Sequence, residues 1–179
     1  MKLYVMRHGP AEDDSPTGRD GDRALTPPGR ERTRSVAREL ARQDEAPLTV
    51  VSSPLVRALQ TAEIVAAACD LEKRAKDSPG TGATGAVEVR REMAPGGDAL
   101  SLVSELMKSG RKRAMVVGHE PDLSMLVERL TGKVPPQGML KSMVVGIKME
   151  PTPEATEGRG FTSSLRFILD PKTLSWERA

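Results

Sequence analysis

The sequence predicts an α/β fold, and three observations carry that prediction. Short apolar runs alternate with longer segments of helical periodicity, in the order strand, helix, strand, helix, which is the pattern of βαβ units with parallel pairing. The helical segments open on capping residues, twice with a proline directly behind the cap. Finally, 179 residues suffice for one well-buried core and are few for two, so residues 1–179 are read as a single domain.

Taken in order, Leu3-Tyr4-Val5-Met6 is a buried strand, followed by a polar loop over residues 10–25. Thr26-Pro27 then caps a helix that should bury Val36, Ala37, Leu40 and Ala41. Residues 48–51 form a second strand. Ser53-Pro54 repeats the cap-then-proline signal and opens a helix whose apolar stripe is Leu55, Leu59, Ala62, Val65 and Ala66. Residues 73–85 are charged at first, then rich in Gly, Thr and Ala, and read as a flexible surface loop. A short strand at 87–89 precedes a helix capped by Asp98 that runs to about Met107, with Leu102, Val103 and Leu106 inward. A strand at 113–117 leads to a helix from Pro121 that buries Leu123, Leu126, Val127 and Leu130. Two closing strands, 143–149 and 165–169, flank a Gly/Pro-rich connection, and there is no internal repeat.

Composition narrows the function. Aromatic residues are only 2% of the chain, so the core is built from Val, Leu, Ala and Met. Net charge is only +2, and no basic tract with interleaved aromatics exists to stack bases, which argues against a nucleic-acid partner. Arg30, Arg32, Arg34, Arg38 and Arg42 recur along the first helix and read mostly as a solvated face. Cys69 is the single cysteine, so neither a disulfide nor a thiolate metal cluster is expected, and the residue reads as a small buried hydrophobe. The chain opens directly into a strand, and no run approaches the length of a membrane span, which together predict a soluble, cytoplasmic protein without a membrane partner.

His8 and His119 are the only histidines, and each sits just past an apolar run. In open α/β sheets chemistry gathers beyond the carboxyl ends of the strands, so both are candidates for reactivity. Competing motifs fail on context. Gly80-Thr81-Gly82-Ala83-Thr84-Gly85 spells a dinucleotide fingerprint, but a lysine-rich loop precedes it and a strand-like segment follows, the wrong setting for a pyrophosphate at a helix N-terminus. Gly118-His119-Glu120 begins like a zinc-protease helix and lacks the second histidine. Ser52 and Ser53 lack a nucleophile elbow, and capping explains them. What remains is a phosphate site. His8 lies between Arg7 and the permissive Gly9; Arg57 falls in the first turn of the helix expected from Pro54, where backbone N–H groups already favour an anion. Two guanidiniums can grip phosphoryl oxygens, a protonated His119 would add a donor, and cations near His8 would keep its imidazole neutral and nucleophilic.

Met6-Arg7-His8-Gly9, Leu25-Thr26 with Gly29, Ser52-Ser53-Pro54 with Arg57-Ala58 and Gln60-Thr61, and Gly118-His119-Glu120-Pro121 resemble, in order and spacing, the histidine phosphatase superfamily. Compactness and the segment Met93-Ala94-Pro95-Gly96-Gly97-Asp98 are most similar to its SixA-type phosphohistidine phosphatases. The resemblance implies a phosphoglycerate mutase-like, three-layer α/β sandwich, with a mixed and mostly parallel sheet and helices on both faces. It further implies a metal- and cofactor-independent phosphatase in which His8 carries the phosphoryl group while Arg7, Arg57 and His119 stabilise its oxygens. Larger relatives use a carboxylic acid on the leaving oxygen; Glu92 and Asp98 are the candidates, although Asp98 also explains itself as a cap. The implied substrate is phosphohistidine on a signalling protein. The alternatives are a small phosphate monoester, or a catalytically idle module that binds phosphoproteins. Two features depart from the pattern: the acidic run Glu12-Asp13-Asp14, which would repel phosphate if turned inward, and the long 73–85 segment.

Overall fold

The opening apolar run forms β1 (Lys2–Arg7), and its side chains divide between two cores. Leu3 and Val5 face one, Tyr4 and Met6 the other, as the two-residue period of a strand requires. The structure is a computed structural model and describes residues 1–152 and 160–179. The remaining strands are β2 (Thr49–Ser52), β3 (Val87–Val89), β4 (Arg113–Gly118), β5 (Val144–Pro151), β6 (Phe161–Leu169) and β7 (Trp176–Arg178). They form one sheet in the order β3-β2-β4-β1-β5-β6-β7. The first four run parallel, and β5, β6 and β7 add to the β1 edge antiparallel.

Helices cover both faces. On one, α1 (Pro27–Arg42), α2 (Val56–Ala68) and the short α3 (Leu71–Lys76) pack against Tyr4, Met6, Met115 and Phe167. On the other, α4 (Ala99–Lys108) and α5 (Asp122–Thr131) pack against Leu3, Val5, Val116 and Ile147. The mixed, three-layer α/β sandwich is therefore as the sequence predicts.

Local chemistry explains the boundaries. Thr26 accepts the Gly29 N–H at 2.9 Å and Pro27 takes the first helical position, so α1 starts where expected. A Cβ on Gly29 would lie 2.1 Å from the Pro10 carbonyl oxygen; only glycine lets α1 press against the loop behind β1. Asp98 caps α4 by accepting the Ser101 N–H at 3.0 Å.

Several elements differ from the sequence reading. The second major helix begins at Val56, not Pro54, because the Ser53 hydroxyl accepts only the Leu55 N–H, at 3.2 Å, and closes a short turn instead of capping. Its buried face is Ala58, Ala62, Val65 and Cys69; Leu55, Leu59 and Ala66 are only partly covered. Ala41 is exposed, and Glu39 takes the buried position on α1 by binding Arg42 and the Trp176 indole. The charged start of the 73–85 segment is helical, since α3 is anchored by buried Leu71, and the loop proper runs from 77 to 86. Within it, the Gly80–Gly85 motif lies between a helix and a strand, the reverse of the dinucleotide-binding order. The closing strands are longer than expected, and β7 is an additional one. Most of the Gly/Pro-rich connection between β5 and β6 lies outside the described residues. No helix among the described residues is long and apolar enough to cross a membrane.

Candidate active site

Three adjacent strands end at one edge of the sheet and deliver the candidate residues. Beyond β1 stands His8, beyond the neighbouring β4 stands His119, and beyond β2 stands Ser53. Backbone bonds lock this register: the His8 N–H reaches the Gly118 carbonyl at 3.1 Å, and the Ser53 N–H reaches that of Val117 at 3.1 Å. Strands about 4.8 Å apart thus bring histidines 111 positions apart in sequence to a ring separation of 5.3 Å. Both are buried, at 6% and 3% exposure.

Each imidazole has a defined proton. His8 Nδ1 lies 2.8 Å from the Gly9 carbonyl oxygen, which can only accept, so Nδ1 carries the hydrogen and Nε2 keeps its lone pair. Burial, outweighing that bond, with help from His119, Arg57 and Arg7, pushes the His8 pKa down to about 3. The neutral His8 expected from the sequence is present, though burial rather than neighbouring charge is its main cause. His119 Nε2 lies 2.7 Å from Ser53 Oγ, which already accepts the Leu55 N–H. We assign the serine proton to that Nε2, which places the His119 hydrogen on Nδ1, an atom with no hydrogen-bond partner among the described residues. Burial and then Arg57 push the His119 pKa down to about 4, so it is neutral near pH 7 and not the imidazolium the sequence suggested. It remains a donor through Nδ1–H.

The guanidiniums are anchored at one end and open at the other. Arg7 Nη1 donates to the Met139 carbonyl at 2.9 Å. Met139 is itself held on its other side, because its N–H reaches Ser124 Oγ at 3.2 Å and Ser124 donates to the Glu120 carboxylate at 2.6 Å. Arg57, 5% exposed, donates to the Asp20 carbonyl at 3.0 Å and to its carboxylate at 3.1 Å. The Nε atoms of Arg7 and Arg57 are buried without a partner among the described residues. Burying unpaired N–H groups on cations is costly, and such groups mark a place prepared for an anion. Gly9 completes the loop: its N–H donates to Thr61 Oγ1 at 3.0 Å, and a Cβ there would stand 2.5 Å from Thr33 Oγ1.

The two carboxylates nominated as acids are engaged elsewhere. Glu92 binds Arg90 at 2.6 Å, and that bond holds its carboxyl below the ordinary range. Asp98 serves as the α4 cap. The run Glu12-Asp13-Asp14 is exposed. Asp20, from the same loop, is the carboxylate that meets the site; burial alone would raise its pKa, but Arg57 and Arg23 hold it lowered. Sequence reasoning missed it because the contact spans 37 positions across an aperiodic loop. Among the described residues, no group of three His, Cys, Asp or Glu is placed to hold a metal ion.

Comparison with known proteins agrees with this geometry. Residues 3–78 match the family model for the histidine phosphatase superfamily, branch 1. The chain is 35% identical over 130 residues to an uncharacterised protein of Picosynechococcus sp., covering 73% of each. It is 33% identical over 141 residues to the phosphohistidine phosphatase SixA of Escherichia coli, covering 76% of this chain and 78% of that protein. A solved structure of the protein histidine phosphatase SixA complexed with tungstate superposes with a TM-score of 0.73 and 26% identity, over 98% of this chain and 100% of that one.

Proposed function

The chain belongs to the histidine phosphatase superfamily and is a phosphatase, and from that premise we propose that it removes phosphate from phosphohistidine on a signalling protein, through a covalent intermediate on His8. Residues 1–179 act in this reading as one domain, in the cytoplasm, where the free, buried thiol of Cys69 is at home. The observation that carries the reading is the pairing of a neutral His8, its Nε2 unprotonated, with Arg7 and Arg57, each of which keeps one buried N–H without a partner among the described residues.

The chemistry follows from those atoms. His8 Nε2 attacks phosphorus in line, and the P–N bond of the substrate breaks as the new one forms. A substrate ring protonated on its other nitrogen leaves as a neutral imidazole. Gly9 holds the Nδ1 proton of His8 throughout, so the charge that phosphorylation places on the ring has an acceptor beside it. Arg7, Arg57 and His119 Nδ1–H face the phosphoryl oxygens, a preorganised set of donors that needs no metal. Water then attacks phospho-His8, inorganic phosphate departs with one proton released, and neutral His8 returns.

The leaving group is chosen by the carboxylates. An alkoxide needs a protonated acid, whereas Asp20 and Glu92 are both held toward the ionised form and Asp98 is spent as a cap. An imidazole, with a conjugate-acid pKa of about 6.5, departs with far less help. The test is rapid-quench mass spectrometry during turnover of a phosphohistidine peptide, in excess chelator. The expected result is an acid-labile phosphoryl adduct on His8, undiminished turnover, and inhibition by vanadate. An adduct elsewhere, or turnover restored only by added metal, would overturn the mechanism; faster hydrolysis of alkyl monoesters would replace the substrate.

A further inference from the structure

The arginines of α1 do not all lie on a plain convex face. Arg30, Arg34 and Arg38 follow one another at four-residue spacing and form one wall of a groove of about 400 Å³, whose other wall is α2 with Gln60, Ile64 and Ala67. Only Arg34 has an ion-pair partner, Glu31 at 2.6 Å; the Arg30 and Arg38 side chains have none among the described residues. Among the described residues, Glu63 is the single carboxylate lining the groove. Three like charges along about 12 Å of helix repel one another, and a concave surface holds them where one anionic chain can meet all three.

The groove is tied to the candidate active site through α2 and the loop behind β1. Its Gln60 side chain accepts the Leu25 N–H at 2.8 Å, next to the cap that binds Pro10. The adjacent Thr61 accepts the N–H of Gly9, and Arg57 lies one turn earlier on the same helix. Among the described residues no aromatic ring lines the groove, so they offer no stacking platform for bases.

We propose that the α1–α2 groove docks an acidic segment of the phosphorylated protein and so selects which phosphohistidine reaches His8. This inference rests on the phosphohistidine reading above. Its test uses two synthetic phosphohistidine peptides that carry, four to eight residues to either side, glutamates in one and glutamines in the other. Extended chain of that length spans roughly 13–26 Å, enough to enter the groove. Inorganic phosphoramidate serves as the small substrate.

The wild-type protein should hydrolyse the glutamate peptide with kcat/KM about tenfold higher, through KM, which is what two or three exposed ion pairs supply. About 0.5 M salt should erase that preference. The triple variant R30Q/R34Q/R38Q should lose it at low salt while hydrolysing phosphoramidate at the wild-type rate. Equal use of both peptides by the wild type, or a preference that survives the triple substitution, overturns the docking proposal and leaves the phosphohistidine reading standing. Hydrolysis of phosphoramidate without either peptide overturns both. Competition by a single-stranded oligonucleotide, stronger than by an unphosphorylated glutamate peptide and lost in the triple variant, would assign the groove to nucleic acid instead.

Discussion

The two ends of β1 bury charge in opposite ways. At its amino end, Glu45 sits at 6% exposure with every demand met: it accepts from the Tyr4 hydroxyl at 2.7 Å, from both terminal nitrogens of Arg166, and from Lys2. At its carboxyl end, Arg7, Arg57 and His119 each retain a nitrogen without a partner among the described residues. One cluster closes on itself and ties β1 to β6. The other is left open toward a ligand. Glu45, Arg57 and His119 are buried to nearly the same extent, so what separates a structural pin from a reactive site is hydrogen-bond satisfaction.

The comparison breaks most sharply under substitution. His8→Ala should reduce turnover of a phosphohistidine peptide by at least about 10³-fold, because no other group supplies the nucleophile, yet leave the melting temperature essentially unchanged. Arg57→Ala should cost about 10²–10³-fold in kcat, in the range of a lost preorganised donor. Glu45→Ala should do the reverse. Removing one partner from a buried ionic cluster costs about 3–5 kcal/mol of stability, which denaturant unfolding will register, with kcat unchanged in the variant that remains folded.

Acid sharpens the contrast further. The folded pKa values of His8 and His119, about 3 and about 4, lie below the unfolded value of about 6.5, so their contribution to stability is complete above that value and is lost as pH falls, down to about 4 for His119 and about 3 for His8. Burial opposes ionisation of Glu45, but bonds from Arg166 and Tyr4 hold its pKa at about 2, so its contribution is lost lower, from about 4.5 downward. Thermal melts against pH should show both windows. H8N or H119N should flatten the upper one and E45Q the lower. The smallest effect belongs to Glu92→Gln, which should slow phosphohistidine hydrolysis less than tenfold, since a general acid's usual contribution of about 10²–10⁴ is not called upon.

The reactive end was far more legible in the sequence than the pinned end. Two histidines, each just past an apolar run, announce the site because strand termini are where α/β sheets expose side chains. Nothing local marks Glu45, whose partner Arg166 arrives from a distant strand, and the local Arg42 partner of Glu39 does not announce that Trp176 will cover it. Ser53 illustrates the middle ground. Its place before Pro54 reads as a cap, and only the neighbouring strand end shows that its hydroxyl meets His119. Strand β7 is three residues long, too short for an alternating pattern, and is held by pairing with β6.

The backbone registration of His8, Ser53 and His119 has an evolutionary consequence. The reacting atoms are placed by peptide hydrogen bonds between β1, β2 and β4, and the His8 tautomer by the very next residue. Neither depends on the sequence of the 77–86 loop. That loop enters β3 at its amino end, at the sheet edge opposite His8 and His119, so it can be lengthened, shortened or rewritten while the reactive pair stays in place.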